Sequence, residues 1–257
     1  MHRACPVCGG DDSRLLLTRG PWRLVECAAC HLAYLPDIPT GERVETEFEW
    51  NASFARERWE RWQRNPFTRI YTYTLMLLKP SRERRAVRRI RRTVRGGRLL
   101  DIACGDGRFA AVALRAGFDP MGTELSPKMA AKARWRLGDE RVLIGRLEDL
   151  ALAPASFDVI TAISFLEHDP QPAKLLGQAF NLLRPGGALF IKVPNYDSLL
   201  RRWRGAHWSG YRWPEHVQYF TPDTLGRLVR AAGFEVGEVF APRLGDNLWL
   251  TALRPRA

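Results

Sequence analysis

Lysine is nearly missing from this chain. Lys79, Lys128, Lys132, Lys174 and Lys192 stand against 35 arginines, although the net charge is +12. Such a basic balance invites a nucleic-acid reading. Arginine in place of lysine is also what a GC-rich coding sequence produces without any demand from a partner. Long apolar runs are absent too. Tyr73–Leu78 comes nearest and falls far short of the roughly 20 residues a membrane span needs. Cys5 follows the first residue too closely for a secretory leader, and no internal repeat or low-complexity tract is visible. A cytoplasmic protein is expected. Its 257 residues, 46% hydrophobic, allow one full-sized domain with a small appendage.

Cysteine is sparse, five in all, yet four of them come as two pairs, Cys5-Pro6-Val7-Cys8 and Cys27-Ala28-Ala29-Cys30, with eighteen residues between the pairs. Each CxxC turn aims two thiolates at one point, and two such turns complete a tetrahedral zinc site. With four sulfur ligands the metal would have no open position, so its role would be structural. A disulfide pair is the poorer alternative in a reducing compartment. Arg14–Thr18 and Trp22–Glu26 have strand character around a Gly20-Pro21 turn, which makes a ribbon hairpin. His31 reads as a neighbour of the site or a surface residue. Cys104, the fifth, reads as a small buried residue.

Residues 37–95 read as linker and helices, between a ribbon at 1–36 and a larger domain at 96–257. Pro36, Pro39 and Gly41 punctuate the linker. Ala55, Trp59 and Trp62 stripe one helix, and Phe67–Leu78 makes a second. Ser81 caps a third, with Val87, Ile90 and Val94 inward and arginines at eight positions from Arg82 to Arg95 over the rest. That basic face is either a solvated surface or a grip for phosphate. From Gly96 onward, strands alternate with helices. The strand candidates are Arg98–Ala103, Pro120–Glu124, Arg141–Gly145, Phe157–Ser164, Ala188–Val193, Glu235–Phe240 and Asn247–Leu253. The pattern predicts an α/β fold: a Rossmann-like, seven-stranded, mostly parallel sheet with helices on both faces.

The first of those strands runs into Asp101-Ile102-Ala103-Cys104-Gly105-Asp106-Gly107-Arg108, a buried strand, a glycine turn and a helix start. That order makes a nucleotide-type cofactor site. Asp101 at its mouth would repel a pyrophosphate and favour a ligand carrying an ammonium and a sulfonium. Glu124 ends the next strand, where an acidic residue accepts hydrogen bonds from ribose hydroxyls. Gly105 and Gly107 leave room for backbone to approach a ligand.

The loop resembles motif I of the class I S-adenosylmethionine (SAM)-dependent methyltransferases, and the resemblance extends over roughly Gly96–Phe240. It implies SAM as cofactor and an antiparallel last strand. It implies adenine contacts after the third strand, where Arg146 replaces the usual acidic residue and the Leu147 backbone and Glu148 side chain substitute. Ser164 and Phe165, after the fourth strand, would border the methionine part. Pro214-Glu215-His216-Val217-Gln218-Tyr219-Phe220 is similar to a bacterial subgroup with many small-molecule and sugar methyltransferases.

SAM carries the reactivity, so the protein must align the acceptor, exclude water and remove a proton from a hydroxyl or amine. His168 and His216 are candidate bases and Tyr211 a positioning group. The long connection Asn195–Thr221, rich in aromatics, is expected to roof an acceptor pocket. Three functions follow. The first is methyl transfer to a small metabolite, glycan or nucleotide-sugar intermediate. The second is methyl transfer to RNA, gripped by ribbon and arginine helix. The third is a non-enzymatic zinc-ribbon binding module.

Overall fold

The computed structural model describes residues 2–38 and 81–256. The first two expected helices, and most of the linker, lie outside these residues. Seven strands form the large sheet: β4 (Gly97–Ile102), β5 (Phe118–Glu124), β6 (Val142–Ile144), β7 (Phe157–Ile163), β8 (Leu183–Pro194), β10 (Glu235–Phe240) and β11 (Asn247–Leu253). Their order is β10-β11-β8-β7-β4-β5-β6. The β8-β7-β4-β5-β6 pairs are parallel, and β11 runs antiparallel to both β8 and β10. The expected sheet is the observed one. Its boundaries differ most at β8, which begins at Leu183 instead of Ala188.

Strand side chains alternate between faces, and the core divides accordingly. Leu99, Val159 and Phe190 meet α1 (Arg82–Ile90) and α2 (Arg108–Arg115) through Val87, Ile90, Phe109 and Ala113. Leu100, Ile160, Leu189 and Ile191 face the other way, onto α4 (Pro172–Leu182) and α6 (Pro222–Ala231) through Leu176, Ala179, Leu225 and Val229. The Ser81 hydroxyl caps α1 by accepting from the Arg84 amide at 3.2 Å. Helix α3 (Pro127–Leu137) lies against α2 with Ala130 and Ala133 in a small core of their own.

A second sheet has the order β1 (Ser13–Arg19), β2 (Trp22–Cys27), β3 (Ala33–Tyr34), β9 (Gln218–Tyr219). The first three strands are the expected ribbon, enlarged by β3. The fourth belongs to the long connection after β8, where Ala33 pairs with Tyr219 and Tyr34 with Gln218. Cys5, Cys27, Leu32 and Tyr34 also pack into the same core as Leu100 and Ile160. Packing thus runs continuously across the boundary between residues 1–36 and 96–257. The rest of the connection, read from sequence as loop, contains a short helix α5 (Leu199–Arg204).

Candidate active site

Between β4 and α2 the backbone is left-handed three times in five residues, at Ala103 (φ 53°), Gly105 (φ 58°) and Gly107 (φ 75°). At a residue with a Cβ this costs about 1–2 kcal/mol, so Ala103 has to be held. The end of β5 holds it. The Cys104 amide donates to the Thr123 carbonyl at 2.9 Å and the Gly105 amide to Glu124 Oε2 at 2.8 Å. Glu124 Oε1 takes the Ser126 amide at 2.9 Å. One carboxylate therefore ties the glycine turn to the start of α3.

The two glycines divide the work. A Cβ at Gly105 would meet only the tip of Met129, at 3.9 Å, so that side of the turn is open. At Gly107 it would lie 3.0 Å from the Ala133 backbone, so this glycine serves the close packing of α2 on α3. Cys104 is buried, its sulfur filling the space that a side chain at Gly122 would need. Burial pushes its thiol up, which leaves it protonated and unreactive.

Asp101 lies beneath the turn, 3% exposed, accepting a hydrogen bond from the Thr161 hydroxyl at 2.7 Å. Burial, aided by the charge of Glu124, pushes its carboxyl up to about 7. Leu147 is buried in the main core, and Glu148 forms an ion pair with Lys174 of α4. Ser164, left-handed at φ 57°, ends β7 with its hydroxyl accepting from Lys192 Nζ at 2.7 Å. Phe165 follows, half-buried against the core.

The turn after β7 is covered by the long connection. The Val217 amide donates to the Glu167 carbonyl at 2.9 Å, and Gln218 Nε2 donates to the Leu166 and Asp169 carbonyls at 2.7 and 2.8 Å. His168 and His216 meet here edge to face, ring centroids 4.5 Å apart. Burial lowers both imidazoles, His216 to about 3. A base that weak gains little from a hydroxyl proton. Glu167, which sequence reasoning passed over beside His168, is 2% exposed, and burial raises its carboxyl to about 7. Its signal was a carboxylate directly after a buried strand.

Tyr211 departs from expectation. Its ring sits in an aromatic core with Tyr196, Trp208 and Tyr219, packed against Leu24, Leu35 and Ile38 of the ribbon. Its hydroxyl lies 3.5 Å from that of Tyr196. The aromatics of this segment are the floor of the ribbon and do not roof a pocket, because burial against aliphatic side chains removes more apolar surface from water.

The four cysteine sulfurs converge, with Cys5 and Cys30 3.5 Å apart and Cys8 and Cys27 3.4 Å apart. Amides of Gly9 and His31 donate to the Cys5 and Cys27 carbonyls at 2.8 and 2.9 Å and shape the two turns. The set suits a tetrahedral metal. His31 itself is exposed, 3.6 Å from Glu26.

A sequence profile described as "Methyltransferase domain" matches residues 78–239. The chain belongs to the class I SAM-dependent methyltransferases. A protein named ubiquinone biosynthesis O-methyltransferase, from Thiobacillus denitrificans, is 32% identical over 155 residues, 56% of this chain and 67% of that protein. Its namesake from Aeromonas salmonicida is 30% identical, over 60% of this chain and 73% of that one. Among solved structures, 1,6-didemethyltoxoflavin-N1-methyltransferase of Burkholderia thailandensis aligns with a TM-score of 0.56 at 20% identity, covering 94% of this chain and 99% of that one. In this methyltransferase the matched stretch takes in the glycine turn and the β7 turn, and it leaves the four-cysteine ribbon outside. Among the described residues no helix is long and apolar enough to cross a membrane.

Proposed function

We propose that this methyltransferase transfers the methyl group of SAM to a hydroxyl on a small metabolite, and that its ribbon holds a structural zinc. The observation that carries the acceptor class is the closure of the sheet's C-terminal edge: the β7 turn lies buried under residues 195–221. Such an edge admits a compact acceptor. The O-methyltransferase names of the relatives support the same choice over a glycan or nucleotide sugar. An intact glycine turn sets aside the non-enzymatic binding module.

When bound, SAM supplies a methyl group on a positively charged sulfur. The chain's residues then have separate tasks. Gly105 gives the cofactor access to the turn, and Glu124 accepts from the ribose hydroxyls. Asp101 supplies negative charge for the ammonium. Leu147 and Glu148 flank the adenine, while Ser164 and Phe165 border the methionine part. His168 and His216 stand on the acceptor side. Cys5, Cys8, Cys27 and Cys30 hold the zinc.

Calorimetry on the purified chain tests the cofactor assignment. SAM and S-adenosylhomocysteine are expected to bind and NAD not to. Glu124→Ala removes charged hydrogen bonds of roughly 1.5–3 kcal/mol, a ten- to hundredfold loss of affinity. Tight NAD binding, or a folded sample that ignores SAM, would overturn the reading.

A further inference from the structure

Glu167, His168 and His216 form a cluster that cofactor binding does not explain. Their ligand atoms all lie within 4.8 Å of one another. His168 Nδ1 is 2.8 Å from the Glu215 carbonyl, and His216 Nδ1 is 2.8 Å from the Gly210 carbonyl. A carbonyl only accepts, so each Nδ1 carries the hydrogen and each neutral ring keeps its lone pair on Nε2. His168 Nε2 stands 3.8 Å from Glu167 Oε1, beyond a hydrogen bond. Glu167 Oε2 is buried with no hydrogen-bond partner. Lys192 and Arg212 bias the cluster by their charge, but neither gives this oxygen a proton.

A buried carboxylate oxygen without a donor is costly. Here it sits beside two imidazoles that are oriented from behind by backbone carbonyls, the arrangement that fixes metal-binding histidines. We propose that Glu167, His168 and His216 are a binding site for a divalent transition metal. Two nitrogens and one oxygen suit ions such as Co2+, Zn2+ or Mn2+ better than Mg2+ or Ca2+, which prefer all-oxygen cages. The site differs in kind from the four-sulfur cluster. Three protein ligands leave further coordination positions. Resting on the methyl-transfer reading, the natural occupant of one is an oxygen of the acceptor, whose proton a cation would make easier to lose.

The test is a Co2+ titration of the full chain after metal removal, read by absorption. Two equivalents are expected, one with thiolate-to-metal charge-transfer bands and one without. Glu167→Gln and His168→Ala should each weaken the second equivalent at least tenfold and leave the thiolate bands unchanged. Those bands report that each variant is folded. The amide bond from Val217 to the Glu167 carbonyl also survives both changes. If Glu167→Gln does not fold, His216→Gln removes a ligand of the same set. A single, thiolate-type equivalent overturns the proposal, as does a second equivalent indifferent to all three changes. S-adenosylhomocysteine binding measured on the same samples separates this failure from failure of the methyl-transfer reading.

Discussion

The two halves of this site are built on opposite plans. The cofactor half comes from one unbroken stretch of chain, β4 through the turn at residues 147–149, and its hydrogen bonds join neighbours in sequence. The acceptor half is assembled from three distant pieces: the ribbon, the β7 turn and residues 195–221. Arg3 shows the difference. Its buried guanidinium donates to the carbonyls of Leu35, Pro170 and Val217 and to Gln218 Oε1, at 2.6–3.1 Å, so one side chain ties all three pieces. A locally built site tolerates change elsewhere; an assembled one depends on every piece.

Metal removal gives the largest test of that contrast. Chelation should unfold the ribbon and withdraw β3 from β9. Hydrogen exchange should then lose protection across 205–220 while the Cys104 and Gly105 amides stay protected. S-adenosylhomocysteine affinity should change less than tenfold. Equal loss of protection in both halves would erase the distinction, and the core shared by Cys27 and Leu100 is the route by which that could happen.

On the cofactor side, Asp101→Asn should have the next largest effect, and a pH-dependent one. The folded-state carboxyl titrates at about 7 against an ordinary 3.8. Its stability contribution is therefore complete below pH 4 and lost as pH rises through 7. The asparagine variant should match wild type near pH 4 and exceed it at pH 8, with roughly 4 kcal/mol as a ceiling. Chemical denaturation at the two pH values measures this. A pH-independent difference would show that desolvation of Asp101 is not the cause.

Arg3→Met probes the acceptor side with a smaller effect, roughly 3 kcal/mol of stability, because it leaves buried carbonyls without donors. Arg3→Lys should recover little, since a single ammonium cannot serve four acceptors spread around a planar fork. Full recovery by lysine in a denaturant melt would reduce Arg3 to a charge.

Legibility in the sequence follows the same division. Strand, turn and helix start lie within a dozen residues at the cofactor loop, so local pattern reveals them, and the CxxC spacing reveals the cysteine cluster just as directly. The pairing of Ala33 with Tyr219 has no local signature, because two-residue strands show no period. Arg3 is one of 35 arginines in the chain, and nothing nearby announces four buried acceptors. Tyr211 was misplaced for a related reason. A run of aromatics shows that an apolar surface must be covered, but not which distant one. Glu167 stayed hidden because only the fold brings His216 beside it.

The smallest effect is expected on the arginine face of α1, which belongs to neither half. Arg89 is already engaged: it pairs with Glu238 at 2.9 Å and lies over the Phe240 ring at 4.1 Å, which pins α1 to β10. Arg88, Arg91 and Arg92 point to solvent. Reversing Arg88 and Arg92 to Glu should change stability by no more than about 0.5 kcal/mol and leave cofactor affinity within twofold. Any RNA retention by the wild type should be weak and steeply salt-dependent. The double change should flatten that dependence, because each lost phosphate contact releases fewer counterions, about 0.7–0.9 per contact. RNA binding that stayed tight and sequence-selective at physiological salt, and collapsed in the double variant, would reverse the choice of acceptor. It would make α1 a third working surface, and the closed edge after β7 would then have to open for a nucleotide.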